Sequence, residues 1–120
     1  MRYMLLLKGD PEPGRPPDEA VAAAMGTYLD ELTRAGVLLA AEGLRPSSAG
    51  VRLRFDGGVR SLIEGPFVES KPVAGYLVLQ AKSREEAVEW ASRCPIGGTP
   101  GEADAADIEI RQVVDWPDGR

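Results

Sequence analysis

The chain has 120 residues, which is enough for one hydrophobic core and too few for two, so we expect a single domain over residues 1–120. It is 43% hydrophobic and 28% charged, a balance that argues against a disordered or fibrous protein. Its formal net charge of -5 would make nucleic acids and anionic membrane surfaces repel the molecule, so we expect neither as a partner.

The first part of the chain predicts a strand, a helix and a second strand. Residues 2–8 form an apolar run with polar ends, the pattern of a central strand buried on both faces. From Asp18 onward apolar residues recur at helical spacing, and Gly36 supplies the left-handed residue that commonly ends a helix. Residues 37–44 are again apolar, apart from Glu42, and predict the second strand.

Residues 51–64 predict a β-hairpin, because two alternating segments flank a pair of glycines. A two-residue loop would put the apolar residues of the first strand on the same face as the charged Arg60 and Glu64. A three-residue loop would pair them with the apolar Val59 and Ile63 instead, and needs one glycine in a left-handed conformation. We expect this second register. In it Glu64 shares a face with three arginines: Arg52, Arg54 and Arg60.

The second half predicts a core strand, a helix and a last strand. Residues 76–79 are apolar and predict the core strand. Residues 83–86 have the S-x-x-E form of a capping box, which marks the beginning of a helix. Residues 107–111 alternate between charged and apolar side chains and predict the last strand. Segments rich in glycine and proline predict irregular structure in three places: residues 9–17, 97–104 and 116–120.

The order of these elements, β-α-β-(β-β)-β-α-β, predicts an α+β fold in which two helices cover one face of an antiparallel sheet. The other face would carry apolar residues that nothing covers, so we expect it to pack against a second copy of the chain in a homodimer. No segment has the ~20 apolar residues of a membrane-spanning helix, and the first apolar run is too short for a signal peptide. We therefore expect a cytoplasmic protein.

Two features of the composition narrow the possible chemistry. The chain has no histidine and a single cysteine, Cys94, which excludes Ser-His and Cys-His catalysis, an internal disulfide and the usual zinc sites. Cys94 lies on the apolar stripe of the second helix, so we expect a packed and unreactive thiol. We predict no metal and no cofactor.

The best candidate for a functional site is the segment Glu64-Gly65-Pro66-Phe67, which turns sharply and continues to Tyr76. At a pocket mouth, Glu64 can act as a general base. Alternatively it is a strand-end carboxylate paired with Arg52 or Arg54. Phe67 and Tyr76 can line a pocket for a flat apolar ligand, or they belong to the core or to a dimer interface.

Three further residues complete the candidate ligand-binding set. Glu42 interrupts an apolar strand, where a carboxylate needs either a partner or a function; the alternative is a strand end that faces solvent. Arg54 and Lys71 can receive an anionic substrate, or they remain solvated at the surface.

With these elements in place, the sequence resembles the YCII-related family, in particular the branch with an Asp-Gly-Pro-Phe (DGPF) signature. The resemblance extends from the first strand to the last. Its carriers are residues 1–6, 35–38, 42–46, 64–71, 75–76 and 86–91. It implies a ferredoxin-like fold that usually assembles as a dimeric α+β barrel. It also implies enzymatic work on small, often aromatic or lactone-like molecules, with an Asp paired to a His in a pocket.

The chain departs from that pattern at two points. Glu64 stands where the signature has Asp, and no histidine is available to pair with it. Three hypotheses remain: a cofactor-independent lyase or isomerase in which Glu64 is the base and Arg54 or Lys71 stabilises negative charge, a small-molecule or partner-binding module, and a purely structural dimer. Some relatives are encoded beside alternative sigma factors, so the resemblance also allows a regulatory or accessory role connected with transcription.

Overall fold

The computed structural model describes residues 1–10, 19–67, 71–96 and 106–115. In chain order these residues form β1 (Arg2–Lys8), α1 (Glu19–Arg34), β2 (Leu38–Gly43), a 3₁₀ turn (Ser47–Ala49), β3 (Val51–Asp56), β4 (Val59–Glu64), β5 (Val73–Gln80), α2 (Arg84–Ala91) and β6 (Asp107–Gln112). This is the predicted order of strands and helices. Most of the three segments predicted to be irregular lies outside the described residues.

Four strands form an antiparallel sheet in the order β2-β5-β1-β6. β1 is a central strand, as predicted, and pairs with β5 on one side and β6 on the other. Leu5 lies opposite Leu77 in β5 and opposite Ile110 in β6, so a row of apolar side chains crosses the sheet. The α+β architecture is compatible with a ferredoxin-like fold.

Both helices pack on one face of this sheet, which confirms the predicted layer arrangement. The core combines residues of the sheet, of α1 and of α2: Leu5, Leu77, Leu79, Tyr28, Leu32 and Ala91. The hydroxyl of Tyr28 donates a hydrogen bond to the Trp90 carbonyl oxygen at 2.7 Å, which ties α1 to α2, and burial raises the pKa of Tyr28 above its ordinary value. Each fully buried leucine contributes roughly 1.5–3 kcal/mol.

The helix ends follow the signals in the sequence. Gly36, just after α1, has a φ of 73°, the left-handed conformation expected at a helix C-terminus. At the start of α2, the Ser83 hydroxyl accepts a hydrogen bond from the Glu86 N–H at 3.1 Å, as a capping box requires. The Glu86 carboxylate accepts from the Lys82 N–H, one residue before the usual position. Neither described helix has the length and apolarity to span a membrane.

The other face of the sheet carries no helix in the part of the chain that the structure describes. Side chains alternate along a strand, so the neighbours of the core residues point to this open face. At its centre Met4 lies opposite Val78 and Leu6 lies opposite Tyr76, and all four side chains are partly buried. Glu42 lies beside Tyr76 on the next strand. The homodimer expected through this face stays a prediction.

β3 and β4 form a separate two-stranded hairpin, which has no pairing with the main sheet in the described chain. Its predicted register is wrong: Asp56 pairs with Val59, so the loop has two residues rather than three. Gly57 and Gly58 have φ values of 57° and 82°, as a type I′ turn requires, and the twist of this turn matches that of the strands. The turn therefore sets the register, although the apolar residues are less well matched.

The observed register moves Glu64 relative to its predicted arginine neighbours. Glu64 lies opposite Val51, so it shares a face with Val51 and lies on the opposite face from Arg52 and Arg54. The prediction that Glu64 would share a face with these two arginines is therefore wrong. Arg60 does share the face of Glu64, because the two residues are an even number of positions apart on β4.

Candidate ligand-binding cleft

The segment 65–67, singled out from the sequence, packs against the 3₁₀ turn. The Gly65 N–H donates to the Gly50 carbonyl oxygen at 3.0 Å, and the Phe67 N–H donates to Ser47 Oγ at 3.0 Å. The peptide bond before its proline is cis, a conformation found almost only before proline. The segment therefore holds two loops together and fixes the position of the phenylalanine.

At Gly65 the backbone of the motif lies close to that of the 3₁₀ turn. A Cβ atom at this position would lie 1.8 Å from the Ser47 carbonyl oxygen and 3.2 Å from the Gly50 carbonyl oxygen. Only glycine allows such an approach. The glycine of the motif therefore has a packing role that does not depend on a ligand.

Ser47 is buried, with 9% of its surface exposed, and binds residues far away in the sequence. Its N–H donates to Asp10 Oδ1 at 2.8 Å, and its hydroxyl donates to Asp10 Oδ2. These hydrogen bonds, the side-chain one first, lower the pKa of Asp10 below its ordinary value because they favour the ionised carboxylate. We call Asp10, Ser47, Gly65 and Phe67 the Ser47 clasp. It joins the end of β1 to the 3₁₀ turn and to the motif.

A cleft of about 520 Å³ opens beside the Ser47 clasp. One wall is formed by residues between Leu44 and Arg52, and the other by Phe67, Pro72 and Val73. Its volume falls within the range of roughly 300–1,000 Å³ that is usual for small-molecule sites. Most of its lining residues are apolar, which suits the body of an organic ligand.

Two arginines, Arg45 and Arg52, bring positive charge to the cleft lining. The guanidinium carbon of Arg52 lies 4.2 Å from the centroid of the Phe67 ring, within the range of a cation–π interaction. The described residues that line the cleft include no carboxylate. The cleft is therefore suited to a flat molecule that combines an apolar body with a negative charge.

Comparison with known proteins places this architecture in a family. The family model of the YCII-related domain matches residues 1–117. The chain belongs to the YCII-related family. The match includes every residue of the Ser47 clasp and of the cleft lining, so both are parts of the YCII-related domain. The comparison with curated proteins found no match.

Of the residues predicted as a site, Phe67 is the one that lines the cleft of this YCII-related domain. Glu42 and Tyr76 instead adjoin a second cavity of about 250 Å³, whose other walls include Met25 and Leu29 of α1. The structure therefore separates the candidates into two locations. The roles predicted for them remain predictions.

The remaining candidates are at the surface. The Lys71 ammonium lies 3.0 Å from a carboxylate oxygen of Asp107. Arg54 and Glu64 are exposed and are not among the residues lining either cavity. Within the described chain, Glu64 makes no ion pair with Arg52 or Arg54.

The structure also bears on two predictions about chemistry: the reactivity of Cys94 and the binding of a metal ion. Burial raises the pKa of Cys94 to about 11, consistent with the unreactive thiol predicted for this residue. Among the described residues, no three Asp, Glu or Cys side chains cluster closely enough to hold a metal ion.

Four residues important to this geometry were not predicted from the sequence: Asp10, Arg45, Ser47 and, as a cleft residue, Arg52. The contact between Asp10 and Ser47 spans 37 residues, and no local pattern connects the two. A buried hydroxyl needs a hydrogen-bond partner, but the burial of Ser47 is visible only in the structure.

Asp10 should make the stability of this YCII-related domain depend on pH. Because the folded-state pKa of Asp10 is lowered from 3.8, its contribution is complete above about pH 5 and is lost as the pH falls through the folded-state pKa. We therefore expect Asp10→Asn to lower the urea midpoint at neutral pH and to flatten the decline of stability in acid. Urea unfolding at several pH values between neutral and acid measures both effects.

The matched control is Asp30→Asn, which changes an exposed aspartate on α1. Its acid profile should follow that of the wild-type protein. Identical profiles for Asp10→Asn and wild type would contradict a stabilising role for the ionised Asp10 carboxylate.

Proposed function

We propose that the chain is a small-molecule-binding domain whose ligand is a flat, anionic molecule held in the cleft. The observation that carries this proposal is the presence of the exposed Arg45 in a largely apolar lining whose described residues include no carboxylate. An aromatic carboxylate satisfies both properties of the cleft, because its ring suits the apolar walls and its charge suits the Arg45 guanidinium group.

The two parts of such a ligand would have different partners. Arg45 is exposed and can reach a carboxylate with the paired N–H donors of its guanidinium group. The ligand ring would contact Leu44, Val73 and the Phe67 side chain. Since the Ser47 clasp already holds Phe67 in place, little conformational entropy would be lost there on binding.

The lyase or isomerase expected from the resemblance requires a carboxylate base beside the ligand. Neither Glu42 nor Glu64 is among the residues that line the cleft. The carboxylate of the Ser47 clasp, Asp10, has a lowered pKa, which makes it a weak base. These placements support binding ahead of base catalysis.

The same proposal includes two more specific points, the branch of the family and the oligomeric state. Membership of the DGPF branch is supported by the Gly65-Pro66-Phe67 sequence that the chain shares with the signature, of which Gly65 and Phe67 belong to the Ser47 clasp. Assembly as a homodimer is supported by the apolar centre of the open sheet face, where Leu6 and Tyr76 are paired.

The experiment uses 2-naphthoate and its uncharged analogue 2-naphthamide as probes, followed in amide correlation spectra of the protein. We expect 2-naphthoate to shift the amide signals of residues 45–52 and Phe67, and 2-naphthamide to bind more weakly. Arg45→Gln should weaken binding of 2-naphthoate by about tenfold, since a charge-assisted hydrogen bond contributes roughly 1.5–3 kcal/mol. It should leave binding of 2-naphthamide nearly unchanged.

The control variant is Arg34→Gln, which removes an exposed arginine at the end of α1. It should bind both probes as the wild-type protein does. Equal affinities for the charged and neutral probes, or signal shifts confined to other parts of the chain, would contradict an anion-binding cleft.

A further inference from the structure

The second cavity, of about 250 Å³, lies between α1 and the sheet, where β2 ends and β5 begins. Its walls are formed by residues of three strands and of the helix, and they include Leu7, Gly43, Gly75, Leu77, Met25 and Leu29. We call it the α1 cavity. It shares no described lining residue with the cleft beside the Ser47 clasp, so the two are separate sites.

The α1 cavity exists because one row of the sheet is almost without side chains. Leu7, Gly75 and Gly43 lie side by side on adjacent strands, on the face that the helices cover. In the next row, Leu5 and Leu77 lie opposite each other and are buried in the core. The two glycines therefore leave empty a space that side chains fill one row further along the sheet.

The two glycines differ in what requires them. A Cβ atom at Gly75 would lie 2.8 Å from the Glu42 carbonyl oxygen, so the packing of the strands requires this glycine. A Cβ atom at Gly43 meets nothing within 4 Å in the described chain, and the φ of Gly43 is not positive. Glycine in a strand lowers stability and often marks a place that a ligand or another backbone approaches closely. At Gly43 the space is open, which favours a ligand.

The lining of the α1 cavity selects an uncharged ligand. Leu7, Met25 and Leu29 have apolar side chains that are only partly buried. Glu42 and Tyr76 adjoin the cavity and are paired with each other across β2 and β5, but alternation directs their side chains to the open sheet face. A charged group in this cavity would therefore lose its hydration without gaining a partner.

The size and shape of the α1 cavity suit one aromatic ring. An apolar cavity of roughly 150 Å³ holds benzene, so a cavity of about 250 Å³ accepts one ring with a small substituent. At Gly43 and Gly75 its wall consists of backbone alone, which gives a flat surface for a planar ring. Met25 of α1 brings a flexible thioether, which adapts to its neighbours and makes favourable contacts with ring edges.

We propose that the α1 cavity binds a small, uncharged aromatic molecule of one ring. This site goes beyond the binding proposed for the cleft, because it has a different location and takes a neutral ligand in place of an anion. Binding would complete the burial of Leu7, Met25 and Leu29, and the removal of their apolar surface from water would supply the affinity. For so small a ligand we expect a dissociation constant of about 1 mM.

The experiment uses toluene as the probe, followed in amide and methyl correlation spectra of the whole chain. Toluene should shift the signals of Leu7, Met25 and Leu29 and give nuclear Overhauser contacts to the Met25 methyl group. Gly43→Val should weaken this binding at least about tenfold, because the added side chain would occupy the space of the ring. Since valine suits a strand, this variant should fold and unfold thermally as the wild-type protein does.

Two controls accompany this variant. Ala40→Val adds bulk to the same strand on the open face, where Ala40 lies opposite Val78, and should leave toluene binding unchanged. Benzoate, which has a carboxylate in place of the methyl group of toluene, should leave the signals of the α1 cavity unshifted.

Four results would overturn the proposal: no shifts near the solubility limit of toluene, equal toluene affinities for wild type and Gly43→Val, shifts confined to the cleft or the open sheet face, or benzoate shifts equal to those of toluene. Gly43→Val should still bind 2-naphthoate in the cleft, because the two sites share no described lining residue. Failure of one site is therefore distinguishable from failure of the other.

Discussion

Gly65→Ala should cost the folded domain about 2–5 kcal/mol of unfolding free energy, at the upper end of single-substitution effects. The added Cβ atom would lie 1.8 Å from the Ser47 carbonyl oxygen, a backbone atom that no side-chain rotation can move away. The 3₁₀ turn must therefore shift. That shift would break the hydrogen bonds from Gly65 to Gly50 and from Phe67 to Ser47, and leaving such groups unpaired costs roughly 1–3 kcal/mol each.

Urea unfolding of Gly65→Ala beside Gly43→Ala measures this effect. A Cβ atom at Gly43 meets nothing within 4 Å, so that substitution should change stability by less than about 1 kcal/mol. Gly65→Ala should also lose binding of 2-naphthoate, because displacement of Phe67 removes one wall of the cleft. Equal unfolding free energies for the two variants would contradict the close approach of the two backbones.

Leu79→Ala is expected to have an effect of similar size, also about 2–5 kcal/mol, for a different reason. Leu79 is 0% exposed and packs in the core with Leu5 and Leu32, so the substitution leaves a cavity in a layer formed by both helices and the sheet. Leu39→Ala is the matched control, because Leu39 lies in a strand of the same sheet and is 51% exposed. It should lose less than about 1 kcal/mol. Similar losses for both leucines would show that the core lies elsewhere.

The order and kind of the secondary-structure elements could be predicted because their signals are local. The apolar run at residues 2–8, the glycine at position 36 and the capping serine at position 83 each act on a few neighbouring residues. All three appear in the structure where they were expected.

The hairpin register was predicted wrongly because two local preferences conflict there. Matching apolar residues across the strands favours a three-residue loop, whereas Gly57 and Gly58 favour a two-residue turn. In a single chain, the turn prevails and the apolar residues of β3 stay exposed. From the sequence alone we could not tell that the apolar residues of β3 would remain uncovered by the rest of the described chain.

The candidate site was predicted only in part, because most of its residues come together from distant segments of the chain. Phe67 belongs to a compact motif and could be recognised. Arg45, Ser47 and Arg52 reach the cleft because the segment that connects β2 to β3, with the first residues of β3, meets the motif in three dimensions. Contacts between such distant segments leave no periodic signal in the sequence.

The start of β3 belongs to two surfaces at once. Arg52 points toward the Phe67 ring at the cleft, and its neighbour Val51 lies on the other face of the hairpin, with 55% of its surface exposed. β3 pairs with β4 alone in the part of the chain that the structure describes, so a ligand that contacts Arg52 would restrain the whole hairpin through this one strand. Occupancy of the cleft would thus reach a surface that the ligand itself never touches.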